Sequence, residues 1–177
     1  LISTLTALKI FGKRFPSVFA YFCTMKKICT LISFSLLFHF FSKAEKRKIL
    51  FLGNSYTYVN DLPNTLKQLA LSFGDSIDVD SYCPGGSTLN SLYNDANTLA
   101  KIQIPGWDYV VVQAQSQEPS FSPAQVASDT YPYAKKLDSL IHISNPCAET
   151  IFYMTWGRKN GDAGNCAAYP PVCTYEG

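Results

Sequence analysis

The sequence predicts an α/β fold, in which helices cover both faces of a parallel β-sheet and form three layers, α/β/α. Four short β-like segments alternate with segments whose apolar residues recur at helical spacing. A β-α-β-α-β-α-β order of this kind, joined by right-handed crossovers, gives a parallel sheet. The composition, with 47% hydrophobic and 16% charged residues among 177, is that of one globular domain.

The four strands are predicted from short apolar or alternating runs. "KILFLG" at 48–53 is nearly continuously apolar, as in buried parallel strands, and "IDVDSY" at 77–82 alternates. "DYVVVQ" at 108–113 is the most β-like segment of the chain. "ETIFYMTW" at 149–156 is the fourth predicted strand.

Three helices are predicted between these strands. Each is recognised by apolar residues at helical spacing, and Pro132 is expected to disturb the third. The apolar positions are Leu62, Leu66, Leu69 and Phe73 in the first helix, Leu89, Leu92, Tyr93, Ala96 and Leu99 in the second, and Val126, Ala134, Leu137 and Leu140 in the third.

The start of the chain predicts a secretory signal rather than part of the domain. Met25 and two lysines precede an apolar run at 28–41, and small residues follow it. The run has about 14 residues, whereas a helix that crosses a bilayer needs roughly 20, so a retained or lipid-linked anchor is the alternative. Residues 1–24 lie upstream of this signal and are interpreted as a gene-model artefact. The domain is therefore expected at 45–177, secreted or periplasmic, with no stable membrane insertion after the signal at 25–44 is cleaved.

The charge of the predicted domain argues against nucleic acid as a partner. The whole chain carries +2, but all 13 acidic residues lie at Glu45 or later, together with only nine of the 15 Lys and Arg. The domain itself therefore carries −4. It offers no basic surface for a phosphate backbone.

The cysteines of the domain are even in number, which suits disulfides in an oxidising compartment. They are Cys83, Cys147, Cys166 and Cys173. Two disulfides can form, and Cys166 with Cys173, which bracket a Pro-rich loop, is the first pair expected among three connectivities. A zinc site built from all four cysteines is the rival interpretation. Because the chain has no Cys-x-x-Cys spacing, no metal is predicted.

Four polar loops follow the predicted strands, and three of them contain glycine. They lie at 53–55, 84–88, 113–119 and 155–158. Parallel strands all end at the same edge of a sheet, and α/β proteins bind ligands there. We therefore expect these four loops to converge at this edge, which we call the carboxyl edge, and to form a site.

The residue types at the carboxyl edge suit serine-type acyl transfer. Ser55 stands at a strand end and a helix entrance, where its hydroxyl can act as a nucleophile and its N–H can face the same space. Gly86 lets a second backbone N–H approach, and the side-chain amide of Gln117, or alternatively of Gln115, adds a donor to an oxyanion hole. This chemistry needs no cofactor. The alternatives are structural: Ser55 capping a helix, 84–88 forming a plain turn, and satisfied glutamines at a strand end.

These segments resemble the GDSL-type, or SGNH, serine hydrolases, an esterase superfamily with a flavodoxin-like parallel sheet. "ILFLGNSYT" is similar to the family's first block and "PGGSTL" to its glycine block, while "DYVVVQAQSQEP" occupies the place of its third block. The resemblance covers roughly residues 47–157. It implies Ser55 as nucleophile, with Gly86 and an amide as oxyanion partners. Gln117 stands where the family usually has asparagine.

The resemblance also bears on the substrate. A secreted branch of the family acts on acyl groups of carbohydrates, which implies a carbohydrate or small-molecule ester as the substrate. Trp156, with Tyr153 near it, would suit stacking on a sugar, and packing in the core or a loop is the alternative for both. Asn54, Gln115 and Trp156 are the predicted substrate contacts.

The family's general base comes from an Asp-x-x-His block near the C-terminus, and these 177 residues contain no such motif. His39 lies in the apolar leader. His142 ends the third predicted helix, which runs antiparallel to the strands, so we expect it at the edge opposite Ser55. The sequence is therefore interpreted as C-terminally incomplete, an N-terminal fragment that is inactive by itself and whose base lies beyond Gly177.

Two other functions stay open. A non-catalytic carbohydrate-binding protein, or an inactive remnant of the same fold, would need no base. A flavodoxin-like module would hold a phosphate or nucleotide at the first loop through Ser55 and Thr57. That loop has one glycine and no GxGxxG or P-loop motif.

Overall fold

The structure, a computed structural model, describes residues 46–157 and 159–174. The expectations for 1–24, for the signal at 25–44 and for His39 fall outside the described residues. Among the residues described, no helix combines the length and the apolar character needed to cross a membrane.

Four parallel strands form the sheet of the described region. They are β1 (Arg47–Leu52), β2 (Ile77–Tyr82), β3 (Tyr109–Val112) and β4 (Glu149–Phe152). Their spatial order is β2-β1-β3-β4, and all three pairings are parallel. This is the order of the first four strands in a flavodoxin-like sheet. The predicted fold class is confirmed.

Helices connect the strands as right-handed crossovers require. The α-helices are α1 (Ser55–Tyr58), α2 (Leu62–Ser72), α3 (Leu89–Asn94), α4 (Ala96–Gln103), α5 (Pro123–Gln125) and α6 (Tyr131–Ser144). A π-helical turn, Val126–Thr130, joins α5 to α6, and two 3₁₀ turns lie at Glu118–Ser120 and Pro170–Cys173.

Each face of the sheet has its own core, because neighbouring residues of a strand point to opposite faces. On one face, Leu50 and Leu52 of β1 pack with Val110 and Val112 of β3 beneath α3, α4 and α6. On the other, Ile49, Phe51 and Ile77 pack beneath α2. The helices supply Leu62, Leu66 and Ala70 from α2 and Leu89, Leu92, Ile102, Leu137 and Ile141 from the helices of the opposite face.

The predicted apolar stripe of α2 is only half right. Leu62 and Leu66 do pack against the sheet, and Ala70 continues the contact at the next turn. Leu69 is half exposed, and Phe73, at the end of the helix, is 77% exposed. The stripe follows residues spaced by four, so positions 69 and 73 rotate away from the sheet.

The second predicted helix is two helices. Asp95 has extended backbone angles (φ −89°, ψ 125°), which end α3. Its carboxylate accepts a hydrogen bond from the backbone N–H of Thr98 at 2.9 Å and so caps α4. The predicted positions Leu89, Leu92 and Tyr93 of α3 pack in or against the core. In α4 the core residue is Ile102, whereas the predicted Ala96 is exposed, so the predicted stripe does not continue across the break.

The predicted disturbance at Pro132 is confirmed. Proline lacks a backbone N–H, and its ring collides with the carbonyl four residues earlier in a regular helix. The chain widens into the π-helical turn Val126–Thr130 directly before Pro132 and then continues as α6. Helical structure therefore persists through the proline instead of ending there.

Candidate active site

Three of the four loops at the carboxyl edge are tied together by one side chain. The amide nitrogen Nδ2 of Asn54 donates to the backbone oxygen of Ser87, at 3.0 Å, and to that of Ala114, at 3.4 Å. Asn54 follows β1, Ser87 follows β2 and Ala114 follows β3. The convergence expected from the parallel topology is thus present in the structure.

A buried glutamine completes this link. Gln113 is fully buried, and its Oε1 accepts from the backbone N–H of Asn54 at 3.2 Å and from the hydroxyl of Thr57 at 2.7 Å. Its Nε2 donates to Oδ1 of Asn54 at 2.8 Å. All polar groups of this network are satisfied, which is how a buried polar cluster rigidifies a fold. Gln113 therefore matches the structural alternative, and Thr57 is buried and bonded rather than offered to a phosphate.

Asn54 departs from its predicted role as a substrate contact. It is 1% exposed, and its side chain bonds only to protein groups among the described residues. Burial takes this amide out of reach of a substrate. Its position instead holds the loops that surround Ser55.

Gly53 is required by space rather than by backbone angles. A Cβ at this position would lie 2.7 Å from the hydroxyl oxygen of Thr57 and 2.8 Å from Oε1 of Gln113. Such distances are far inside van der Waals contact. Only glycine therefore lets β1 run directly into the network.

Ser55 is the first residue of α1 and is half-buried. The helix is capped by Asn54, whose Oδ1 accepts from the backbone N–H of Tyr56 at 3.2 Å, so the capping alternative for Ser55 is wrong. The Ser55 hydroxyl makes no hydrogen bond to any residue in 46–157 or 159–174. Of the two polar side chains in this loop, Asn54 and Ser55, only that of Ser55 lacks a hydrogen bond within the described part of the chain.

Gly86 lies on the exposed turn between β2 and α3. Its φ of +73° is in the left-handed region, which disfavours a side chain, while an added Cβ would meet no atom within 4 Å. The backbone of this turn therefore has open space over it. Thr88 anchors the turn by capping α3 in a reciprocal capping box with Ser91.

The predicted amide donors, Gln115 and Gln117, form hydrogen bonds with each other. Nε2 of Gln115 donates to Oε1 of Gln117 at 3.0 Å, and Oε1 of Gln115 accepts from the Gln117 backbone N–H at 2.6 Å. Nε2 of Gln117 donates to a carboxylate oxygen of Asp162 at 2.6 Å. Gln115 is thus occupied in orienting Gln117, which remains half-buried at the edge.

Sequence reasoning missed Glu118, a buried acid in the third loop. Its Oε2 accepts from the backbone N–H groups of Gln115, at 2.7 Å, and of Leu89, at 3.2 Å. Burial raises the pKa of this carboxyl, and the two N–H groups offset the rise only in part. Glu118 therefore ties the third loop to the start of α3. Nothing in its local sequence marks it, because Leu89 is 29 residues away.

An aromatic pair joins the first loop to the segment after β4. The rings of Tyr56 and Trp156 have centroids 4.7 Å apart with an interplanar angle of 43°, an arrangement that aromatic pairs favour. Trp156 is 57% exposed. Tyr153 is half-buried and pairs its backbone N–H with the carbonyl of Val112. Tyr56, which directly follows Ser55, was not singled out from the sequence.

The C-terminal segment is closed by the expected disulfide between Cys166 and Cys173. Cys83 is a free, half-buried thiol, so a second disulfide from Cys83 to Cys147 does not form. Burial raises the pKa of the Cys83 thiol to about 11, which keeps it protonated at neutral pH. Because two of the four sulfurs are bonded to each other, the zinc alternative is wrong.

His142 lies at the edge opposite Ser55, as predicted. It is in the last turn of α6, and its Nδ1 is 2.8 Å from the backbone oxygen of Asp138. Asn145, directly after this helix, accepts from the backbone N–H groups of Gly106 and Trp107, just before β3 begins. The described residues therefore place no histidine beside Ser55.

No protein-family model matches the sequence, and a search among curated protein sequences finds no significant match. Among solved structures, the chain is similar to a DUF4886 family protein from Bacteroides uniformis, with a TM-score of 0.57 and 16% identity over 75% of this chain and 59% of that one. The chain thus spans less than two thirds of this neighbour.

Two further structures are similar at lower TM-scores. TesA gives 0.46 and 16% identity, over 73% of this chain and 68% of its own. A variant of Axe2, an acetyl-xylooligosaccharide esterase from a Geobacillus, gives 0.45 and 17% identity, over 73% and 67%. At these identities the similarity to solved structures concerns the fold, and the first of them shares this chain's α/β architecture.

Proposed function

We propose that this protein is a serine-type ester hydrolase that works through an acyl-enzyme on Ser55. The observation that carries the proposal is the hydroxyl of Ser55, which makes no hydrogen bond to any described residue and lies beside a fully satisfied network. Asn54, which directly precedes Ser55, and Gln113, which bonds to Asn54 and Thr57, use their polar atoms within the protein. A nucleophile requires a hydroxyl that its own loop holds in place without using it in a hydrogen bond.

The proposed reaction follows from the groups at the carboxyl edge. The oxygen of Ser55 attacks the acyl carbon, the alcohol leaves, and water then hydrolyses the acyl-enzyme. The backbone N–H of Gly86 and the side-chain amide of Gln117 donate to the oxyanion. Since no histidine of the described ranges lies at this edge, the proposal requires a general base from outside them. Asn54 and Gln115 act by holding these groups in place.

Two observations support a secreted enzyme that deacylates carbohydrates. A disulfide such as Cys166–Cys173 persists in oxidising compartments. The exposed face of Trp156, steadied by Tyr56, offers a flat apolar surface next to the nucleophile loop. Flat aromatic surfaces of this kind suit the apolar face of a sugar ring.

Trapping of the acyl-enzyme tests the proposal directly. The complete protein is mixed with p-nitrophenyl acetate and quenched rapidly in acid. It is then digested, and the masses of its peptides are measured by mass spectrometry. We expect the peptide that contains Ser55 to gain one acetyl group, because the quench stops hydrolysis of the intermediate. Acetylation of other serines or lysines, with Ser55 unmodified during turnover, would contradict the mechanism.

Replacement of Trp156 tests the carbohydrate part. Trp156→Ala is expected to raise KM for an acetylated xylo-oligosaccharide about 10-fold, the equivalent of roughly 1.4 kcal/mol. KM for p-nitrophenyl acetate should change little, because a small ester does not need the stacking surface. Phe73→Ala, which removes an exposed aromatic ring at the far end of α2, is the matched control. Equal changes for both substrates would argue against a sugar-binding role.

A non-catalytic carbohydrate-binding protein is the second candidate. The position of His142 favours it, since no histidine of the described residues lies beside Ser55 and a serine without a base is a weak nucleophile. On this alternative, glycan binding survives Ser55→Ala and the complete protein cleaves no ester.

A further inference from the structure

We infer that Asp162 is a positioning residue for Gln117, and that the segment closed by the Cys166–Cys173 disulfide is thereby part of the active site. The inference rests on the proposed function, because it assigns Gln117 to the oxyanion hole. Asp162 belongs to no recognised motif and lies 45 residues from Gln117. The hydrogen bond between the two side chains is the observation that points to Asp162.

The carboxylate of Asp162 decides which end of the Gln117 amide faces it. Asp162 is 7% exposed, and its Oδ2 accepts from Nε2 of Gln117 at 2.6 Å. An ionised carboxylate only accepts hydrogen bonds, so it selects the NH₂ end of the amide. At the other end, Oε1 of Gln117 accepts from the Gln115 amide. Both ends are therefore specified, and the two-fold ambiguity of a glutamine side chain is removed.

This orientation matters for the chemistry proposed at Ser55. Nε2 of Gln117 carries two hydrogens, and its only acceptor among the described residues is Asp162. The second N–H is left to donate to an oxyanion. Without Asp162 the amide can turn, and its Oε1 would then repel the negative charge that develops in the transition state. Asp162 thus acts through Gln117, without touching substrate.

The position of Asp162 is itself set by the disulfide-closed segment. Its backbone N–H donates to the carbonyl of Val172 at 2.7 Å, and its carbonyl accepts from the N–H of Cys166 at 2.9 Å. Val172 is buried. At Gly161, directly before Asp162, a Cβ would collide with the carbonyl of Cys173, so the backbone beside Asp162 packs directly against the end of this segment. The carboxylate is further held by Asn165 and by the N–H of Gly164.

A double-mutant cycle on the complete protein tests the inference. Asp162→Ala should lower kcat for p-nitrophenyl acetate about 10-fold with KM unchanged, and Gln117→Ala about 100-fold. The double variant should be no slower than Gln117→Ala, because Asp162 acts only through that amide. Asp162→Asn, whose Oδ1 can still accept from Gln117, should recover most of kcat. Asp75→Ala, an exposed acid at the end of α2, is the control.

If the losses of kcat in the two single variants added up in the double variant, the inference would be overturned. A gain of activity in Asp162→Ala would also overturn it, because the carboxylate would then hinder Gln117. Proton exchange of the Gln117 side-chain amide, followed by NMR, gives a readout that needs no turnover. Exchange should be slower than for the exposed Gln103, and should speed up about 10-fold in Asp162→Ala or, if that variant does not fold, in Asp162→Leu. Unchanged exchange would exclude the contact. Turnover that survives Ser55→Ala would refute the proposed function instead, whatever the amide does.

Discussion

Ser55→Ala is expected to lower kcat for p-nitrophenyl acetate by about 10⁴-fold or more in the complete protein, with the unfolding transition unchanged. The hydroxyl makes no hydrogen bond to a described residue, so its removal leaves no buried group without a partner. Alanine is also a good helix former at the start of α1. The loss should therefore fall on the chemical step and leave the fold unaffected.

The measurement is steady-state hydrolysis alongside urea denaturation of the same preparations. Ser139→Ala is a matched control, because Ser139 is exposed on α6 and bonds only to the backbone carbonyl of Lys135 within the described residues. It should keep full activity. Persistence of turnover in Ser55→Ala, at more than a few per cent of the original rate, would remove Ser55 from the mechanism.

Gln113→Leu is expected to cost about 3 kcal/mol of unfolding free energy. Leucine has a similar volume but cannot accept from the backbone N–H of Asn54 or from the hydroxyl of Thr57. Oδ1 of Asn54 also loses one of its two donors and keeps only the backbone N–H of Tyr56. Each buried polar group left unpaired costs about 1–3 kcal/mol. Among the described residues, Asn54 and Gln113 are also the only pair of side chains that bond the first loop to the third. Asn54 adds a bond to the backbone oxygen of Ala114.

Urea denaturation measures this loss, with Gln103→Leu as the control. Gln103 is exposed at the end of α4, so its replacement should change stability by less than about 0.5 kcal/mol. A Gln113→Leu protein as stable as the control would mean that the hydrogen bonds of this network contribute nothing net. If Gln113→Leu lowered activity without lowering stability, the network would serve only to position Ser55.

The strands and their parallel arrangement could be predicted because the information is local. A run such as 48–53 contains its own burial pattern, and the alternation of strand and helix leaves few topologies once crossovers must be right-handed. The same logic placed Gly53, Ser55 and Gly86 at one edge and His142 at the other. The error on α2 arose because periodicity alone does not tell which of two adjacent apolar rows meets the sheet. The break at Asp95 was missed because the spacing of apolar residues does not show where a helix ends.

The sheet, its carboxyl edge and a serine on its first loop could all be predicted from the amino-acid sequence. The folded structure was needed to show which polar groups at this edge bond to one another within the described residues. The partners of Gln113, Glu118 and Gln117 lie 59, 29 and 45 residues away in the chain. A hydrogen bond between distant residues leaves no periodic trace in the sequence, because it depends on backbone positions that only the packed sheet and its loops create.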